Sequence, residues 1–205
     1  MKVLIINGSP RLNGNSSKLV NETINIFNNE GVEVDNYQIG PKAIRGCMAC
    51  GYCHEHGECV FKDDVNELNK RFESSDGLVI LSPVYYGSAN GSVVSLLDRL
   101  FYSSHFDKRF KVGAAFAIAR RAGTVATFDE LNKYFTINQM PIASGRYWNN
   151  GFGREQGQIE KDEEGLQNAR VVARNMVFLM KAIKDAKDKY GLPIKEDVKF
   201  THFIK

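Results

Sequence analysis

The stretch that decides the fold reads KVLIIN at residues 2–7 and GSPRLNGNS at residues 8–16. The first part is a continuous apolar run of strand length, and glycine, proline, asparagine and serine break it abruptly. Apolar residues at helical spacing follow, at Leu19, Val20, Ile24 and Phe27. The order strand, loop, helix predicts a phosphate site, because the first amides of a helix are free to bind an anion.

The same alternation of strand and helix continues along the chain. Apolar runs predict four further strands, at 32–37, 77–82, 110–119 and 140–144. Helical spacing, a capping-box pattern at Asp64-x-x-Glu67 and a helix start at Thr127-x-x-Glu130 predict four further helices, the last one bearing Leu166 to Ile183. Five strands alternating with five helices indicate an α/β three-layer sandwich with a parallel sheet. Without a linker or repeat, residues 1–205 are predicted to form one domain.

Composition narrows the classes of partner. The 205 residues carry a net charge of +3 without a basic block, which argues against a nucleic-acid surface. No apolar stretch approaches the roughly 18 residues that a membrane span needs. No signal peptide precedes the first strand, so we expect a cytoplasmic protein without membrane contact.

The first loop has side chains suited to one terminal phosphate. It is neither a Walker A loop, since Asn15 stands where the lysine would be, nor a GxGxxG fingerprint. The candidate ligands are small hydroxyl and amide groups with one guanidinium: Ser9, Arg11, Asn13, Asn15 and Ser16. The alternative is that Asn15 or Ser16 simply caps the helix.

Two further loops should lie at the same edge of the sheet, where open α/β sheets bind ligands. The second supplies tyrosines beside glycine, which suit a flat heteroaromatic ring: Pro83, Val84, Tyr85, Tyr86, Gly87 and Ser88. The third supplies positive charge and amides: Arg120, Arg121, Gly123 and Thr124. The alternatives are tyrosines that pack on a neighbouring element and arginines that are merely solvated.

The residues 8–11, 14–16 and 82–87 together resemble the NADPH-dependent FMN reductase family, and the resemblance extends over nearly the whole chain. It implies a flavodoxin-like fold with strand order 2-1-3-4-5. It also implies that the first loop binds the FMN phosphate and that residues 83–88 and 120–124 face the isoalloxazine. NAD(P)H would be the hydride donor, in a homodimer or homotetramer. Arg120-Arg121-Ala122 departs from the more glycine-rich third loop of many relatives.

All four cysteines fall in one short segment: Cys47, Cys50, Cys53 and Cys59. In a cytosolic chain such clustering indicates metal or redox chemistry rather than disulfides. The segment resembles the iron–sulfur flavoproteins, whose compact cysteine motif holds a [4Fe–4S] cluster. Two-residue spacers let a tight turn direct successive thiolates at one cluster. Zinc, and free thiols in a loop over the flavin, are the alternatives.

We therefore expect an FMN-dependent NAD(P)H oxidoreductase that reduces a small acceptor such as a quinone, a flavin or a nitro compound. The flavin supplies the chemistry, so no catalytic side chain is predicted. The second hypothesis is an electron carrier that passes electrons between a [4Fe–4S] cluster, FMN and a redox protein partner. A phosphatase or phospho-acceptor domain is disfavoured, because the first loop has neither a cysteine nucleophile nor an acidic pair.

Overall fold

The computed structural model describes residues 1–203, and the bounds of its helices and strands refer to that range. The strands are β1 (Lys2–Asn7), β2 (Glu33–Gln38), β3 (Gly77–Tyr85), β4 (Ser88–Ala89), β5 (Val112–Ala119) and β6 (Asn150–Phe152). The α-helices are α1 (Asn15–Asn29), α2 (Tyr52–His56), α3 (Asp64–Glu73), α4 (Gly91–Ser103), α5 (Thr124–Thr136) and α6 (Glu163–Tyr190), with a 3₁₀ turn at Gln158–Lys161. In this range no helix combines the length and the apolar character that crossing a membrane would require.

The main sheet is parallel, with strand order β2-β1-β3-β5-β6, and β4 pairs antiparallel with β3. With β4 set aside as a short hairpin arm, this is the predicted order 2-1-3-4-5. The α/β three-layer prediction is confirmed. All main strands end at the same edge, so the loops that follow them meet there.

The apolar run of β1 has no polar alternation because helices cover both of its faces. Val3 and Ile5 pack into a core with residues of α1 and α6. Leu4 and Ile6 belong to a second core, on the other face of the sheet, with residues of α3, α4 and α5. All four are fully buried, which fixes the strand, and the loop that follows it, between two helical layers.

The prediction of the last strand at 140–144 was wrong. Only Ile142 forms a bridge there, to Gly113, and the paired strand is β6 beside Ala117–Ala119. Between the two, the chain leaves the sheet because the buried Asn168 of α6 binds its backbone. The Asn168 Oδ1 accepts from the amides of Arg146 and Tyr147, at 2.8 and 3.4 Å. Two short segments, Ile142 and β6, therefore pair with β5 on the outer side of the sheet.

The predicted capping box at Asp64 and the predicted helix start at Thr127 were also wrong. Asp63, rather than Asp64, caps α3 by accepting from the Val65 amide. Helix α5 begins at Thr124, three residues before the predicted Thr127. The Glu130 carboxylate accepts from the Ser88 hydroxyl at 2.7 Å and from the Ala89 amide at 2.8 Å. It therefore anchors the β3–β4 hairpin to α5 rather than capping the helix.

Candidate functional site

An open cleft lies at the carboxyl ends of β1, β3, β5 and β6. It encloses about 720 Å³ of empty space, including its solvent-open mouth. Its walls are Ser9, Pro10, Arg11, Gly14, Asn15, Ser16, Pro83, Val84, Tyr85, Ile118, Ala119, Arg120, Gly153 and Arg154. Three of these residues are arginines and none is acidic, so the cleft favours an anionic ligand.

The first loop leaves the start of α1 open to an anion. Gly14 is the N-cap residue, no side chain caps the helix, and the first turn contains no acidic residue. The Ser9 hydroxyl accepts from the Arg11 amide at 3.1 Å, which folds the loop back on itself. Ser16 is buried and lines the cleft. Within residues 1–203 the amides of Asn15 and Ser16 have no hydrogen-bond partner, whereas the Ser17 amide donates to the Gly14 carbonyl at 3.1 Å. The first two amides of the helix are therefore free to bind an anion at the cleft, as a phosphate site requires.

Asn15 connects this loop to a distant part of the chain. Its Nδ2 donates to the Glu155 carbonyl at 3.0 Å, and its Oδ1 accepts from the Ile159 amide at 3.3 Å. A Cβ at Gly153 would lie 2.7 Å from the same Nδ2, so this close approach requires glycine. Asn15 thus forms part of the cleft wall and holds residues 153–159 against it. Asn13 is exposed and does not line the cleft.

The second loop contributes only its first half. Pro83, Val84 and Tyr85 line the cleft. Tyr86 and Gly87 form the tip of the β3–β4 hairpin, where both have positive φ and Tyr86 is fully exposed. Ser88 returns along the hairpin to Glu130. Tyr85 is therefore the tyrosine that could contact a ring in the cleft.

The third loop packs against the second. Arg120 lines the cleft, whereas Arg121 is exposed outside it and Thr124 is buried as the first residue of α5. Gly123 has φ +88°, and a Cβ there would meet Gly87 Cα and Val84 Cγ1, each at 2.8 Å. The two loops touch at this glycine.

This contact gives a testable prediction for Gly123→Ala. The variant should lose roughly 1–2 kcal/mol of unfolding free energy from its left-handed backbone, plus roughly 1–3 kcal/mol from overpacking. Gly87→Ala is the matched control, since φ is +79° there and nothing lies within 4 Å of the added Cβ. Urea denaturation of both variants measures the difference. Equal losses would contradict a tight contact between the loops.

The fourth wall of the cleft, Gly153 and Arg154, was not predicted, and neither were Ile118 and Ala119 at the end of β5. The wall follows β6, so placing the last strand at 140–144 also hid the loop that follows the true strand. The sequence Gly151-Phe152-Gly153-Arg154, with two glycines and a positive charge, is the signal that could have identified it.

The four cysteines converge on a second, smaller pocket. Together with Met48, Phe61, Arg99, Tyr102 and Ser103, Cys47, Cys50, Cys53 and Cys59 line about 340 Å³ of empty space. Gly51 and Gly57, both in the left-handed region, flank α2 and turn the chain around Cys53. Burial raises the pKa of the Cys53 thiol. This cysteine pocket shares no lining residue with the cleft.

The cysteine pocket has four thiol groups, the ligands that an iron–sulfur cluster needs, but they are not arranged to bind a single metal ion. Within residues 1–203, no three His, Cys, Asp or Glu side chains are drawn together tightly enough to hold one metal ion. In a [4Fe–4S] cluster each thiolate binds a different iron, so the four ligands surround a volume instead of a point. Ser103 also lines this pocket, and its hydroxyl is buried with no hydrogen-bond partner in the described chain. The residues present therefore fit the group.

Comparisons with known proteins agree with this arrangement. The model of the family described as NADPH-dependent FMN reductase matches residues 1–155. An iron-sulfur flavoprotein of Methanocaldococcus jannaschii is 33% identical over 192 residues, covering 90% of this chain and 100% of that protein. An iron-sulfur flavoprotein of Methanosarcina thermophila is 28% identical over 194 residues, covering 92% of this chain and 100% of its own.

Solved structures support the fold. The NAD(P)H:quinone oxidoreductase from Methanothermobacter marburgensis superposes with a TM-score of 0.66 at 15% identity, covering 86% of this chain and 96% of that one. A flavodoxin from the domain Archaea gives 0.57 at 14% identity, covering 90% of this chain and 99% of its own. The fold is flavodoxin-like, and the chain belongs to the NADPH-dependent FMN reductase family of flavoprotein oxidoreductases.

Proposed function

We propose that this protein is an iron–sulfur flavoprotein that binds FMN in the cleft and a [4Fe–4S] cluster at Cys47, Cys50, Cys53 and Cys59. The observation that carries the proposal is the convergence of all four cysteines on one pocket. When bound, FMN handles electrons singly or in pairs and the cluster handles them singly, so the protein could connect one-electron and two-electron redox partners.

The proposed FMN site uses the geometry of the cleft. The uncapped amides of α1 and the Ser16 hydroxyl bind the phosphate. Val84, Ile118 and Tyr85 would hold the flavin ring through apolar and aromatic contacts. Arg120 would supply positive charge near the ring, which is one way in which a protein tunes a flavin. Arg11 would add to the positive potential at the mouth, where Arg154 is paired with Glu155 at 3.2 Å.

The predicted NAD(P)H-dependent reduction of a small acceptor is the second candidate. The open mouth of the cleft favours it, because a second planar molecule needs access to the flavin. Tyr85, at the rim, is 47% exposed and could contact such a molecule. Quinones, flavins and nitro compounds remain the proposed acceptors, and the choice between NADH and NADPH is part of the test.

The proposed protein partners are inferred from exposed aromatic residues beside the cleft. Tyr86 adjoins Tyr85, and Phe152 adjoins Gly153, and both side chains project into solvent. Exposed aromatic groups are enriched at protein interfaces. They support the proposal of a homodimer or homotetramer, with a redox protein as a further partner, in the cytoplasm.

Anaerobic purification followed by iron, sulfide, zinc and flavin analysis tests the proposal. We expect about four iron and about four sulfide per chain, as four thiolate ligands predict, together with bound FMN. Steady-state oxidation of NADH or NADPH with added acceptors then separates the reductase from the carrier. Colourless protein that binds no FMN would contradict both candidates, and zinc in place of iron would contradict the first.

A further inference from the structure

Helix α4 contacts the cysteine segment (residues 45–63) through a buried arginine. Arg99 is 1% exposed, which is unusual for a charged side chain unless it is paired. Its Nη1 and Nη2 bind the two oxygens of Asp63, at 2.7 and 2.8 Å. Its Nη1 also donates to the Arg45 carbonyl, at 3.2 Å. The guanidinium thus fastens both ends of the segment to one helix.

The remaining contacts of Arg99 go to a cysteine. Its Nε and Nη2 both donate to Cys59 Sγ, each at 3.3 Å. Hydrogen bonds from a charged donor are shorter and stronger than those from a neutral one. Cys59 is therefore the cysteine whose sulfur is held by a positive charge, although it is forty residues from Arg99 in sequence.

Ser103 lies one helical turn after Arg99 on the same face of α4, and it also lines the cysteine pocket. Its side chain is buried, and its hydroxyl has no partner within residues 1–203. Leaving a buried hydroxyl unpaired is costly, so this one indicates an acceptor that the chain itself does not provide. A cluster sulfide or a cluster-bound thiolate would be that acceptor.

We propose that Arg99 and Ser103 set the reduction potential of the cluster by donating hydrogen bonds to its sulfur atoms. Arg99 is a positioning residue that acts through Cys59, and Ser103 donates directly to the cluster. Reduction adds negative charge, and N–H and O–H donors stabilise that charge more in the reduced state than in the oxidised one. Both residues therefore raise the potential. This inference rests on the proposed function.

Redox titration monitored by electron paramagnetic resonance, on anaerobically purified protein, tests the inference. We expect Arg99→Gln and Ser103→Ala to shift the midpoint potential to more negative values, with the larger shift for Arg99→Gln. Arg99→Lys should fall between Arg99→Gln and the wild type, since it keeps the charge but loses the two-point contact. Arg71→Gln is the control, because Arg71 also binds both oxygens of an aspartate, Asp35, through its Nε and Nη2, and does not line the cysteine pocket. Its potential should equal that of the wild type.

The double variant Arg99→Gln/Asp63→Asn guards against misfolding, because it leaves no unpaired carboxylate and keeps an acceptor for the Val65 amide. It should show the same negative shift. If Arg99→Gln/Asp63→Asn and Ser103→Ala are both loaded with iron and have the midpoint potential of the wild type, this inference is overturned while the proposed function stands. Wild-type protein without iron and sulfide would overturn the proposed function and this inference with it.

Discussion

Replacing Ser16 with aspartate is expected to abolish high-affinity FMN binding while the apo-protein stays folded. Ser16 is the second residue of α1 and lines the cleft, so its replacement would place a carboxylate beside the proposed phosphate site. Two like charges about 4 Å apart repel by about 4 kcal/mol near a protein surface. We expect the Kd for FMN to rise at least about 100-fold, which corresponds to ~2.7 kcal/mol. Quenching of flavin fluorescence on titration measures the Kd.

The helix itself should tolerate Ser16→Asp. Ser16 is buried, so a carboxylate there loses part of its hydration. The gain of about 0.3–1 kcal/mol from a negative charge in the first turn of a helix offsets only part of that cost, so the Tm of the apo-protein should fall modestly. Ser92→Asp is the matched control, since Ser92 is the second residue of α4 and does not line the cleft. A Ser16→Asp protein that binds FMN as tightly as Ser92→Asp would show that the phosphate binds elsewhere.

The double variant Cys50→Ser/Cys53→Ser is expected to lose its iron and sulfide but keep its FMN. A serine hydroxyl at neutral pH is a poor ligand for iron compared with a thiolate, and two remaining cysteines cannot hold a cuboidal cluster. The cleft shares no lining residue with the cysteine pocket, so flavin content should stay at the wild-type value. Metal analysis and the visible absorption spectrum provide the measurement.

Glu55→Gln serves as the control for that variant. Glu55 lies in α2 between the cysteines, but it is exposed and does not line the pocket. It should retain wild-type iron and sulfide. Full iron content in the double cysteine variant would exclude the proposed ligand set. Loss of FMN together with iron would instead show that the pocket and the cleft depend on each other.

Local patterns in the sequence were sufficient to predict the centre of the fold. The apolar runs of β1, β3 and β5 are long and are buried on both faces, so their type was predictable. Their order was implied by the family resemblance. The first loop follows β1 and Pro83 to Tyr85 end β3, so both were predictable from those strands. Of the fifteen predicted flavin-site residues, eight line the cleft.

The remaining parts of the site depend on contacts between distant residues. The split sheet edge arises because Asn168 binds the backbone of residues 146 and 147, about twenty positions earlier. The hairpin that removes Tyr86 from the cleft is anchored by Glu130. In the sequence, nothing distinguishes Arg99 from other residues of a helix, and only the fold brings it into contact with Cys59. No periodicity or motif encodes such pairings.

The link from Asn15 to Glu155 and Ile159 also has a consequence for protein synthesis. The ribosome synthesises the chain from its N-terminus, so the first loop (residues 8–16) emerges about 140 residues before the segment that completes the cleft wall. A nascent chain ending before residue 153 has α1 but lacks Gly153 and Arg154. The proposed FMN site is therefore complete only after at least about three quarters of the chain has been translated.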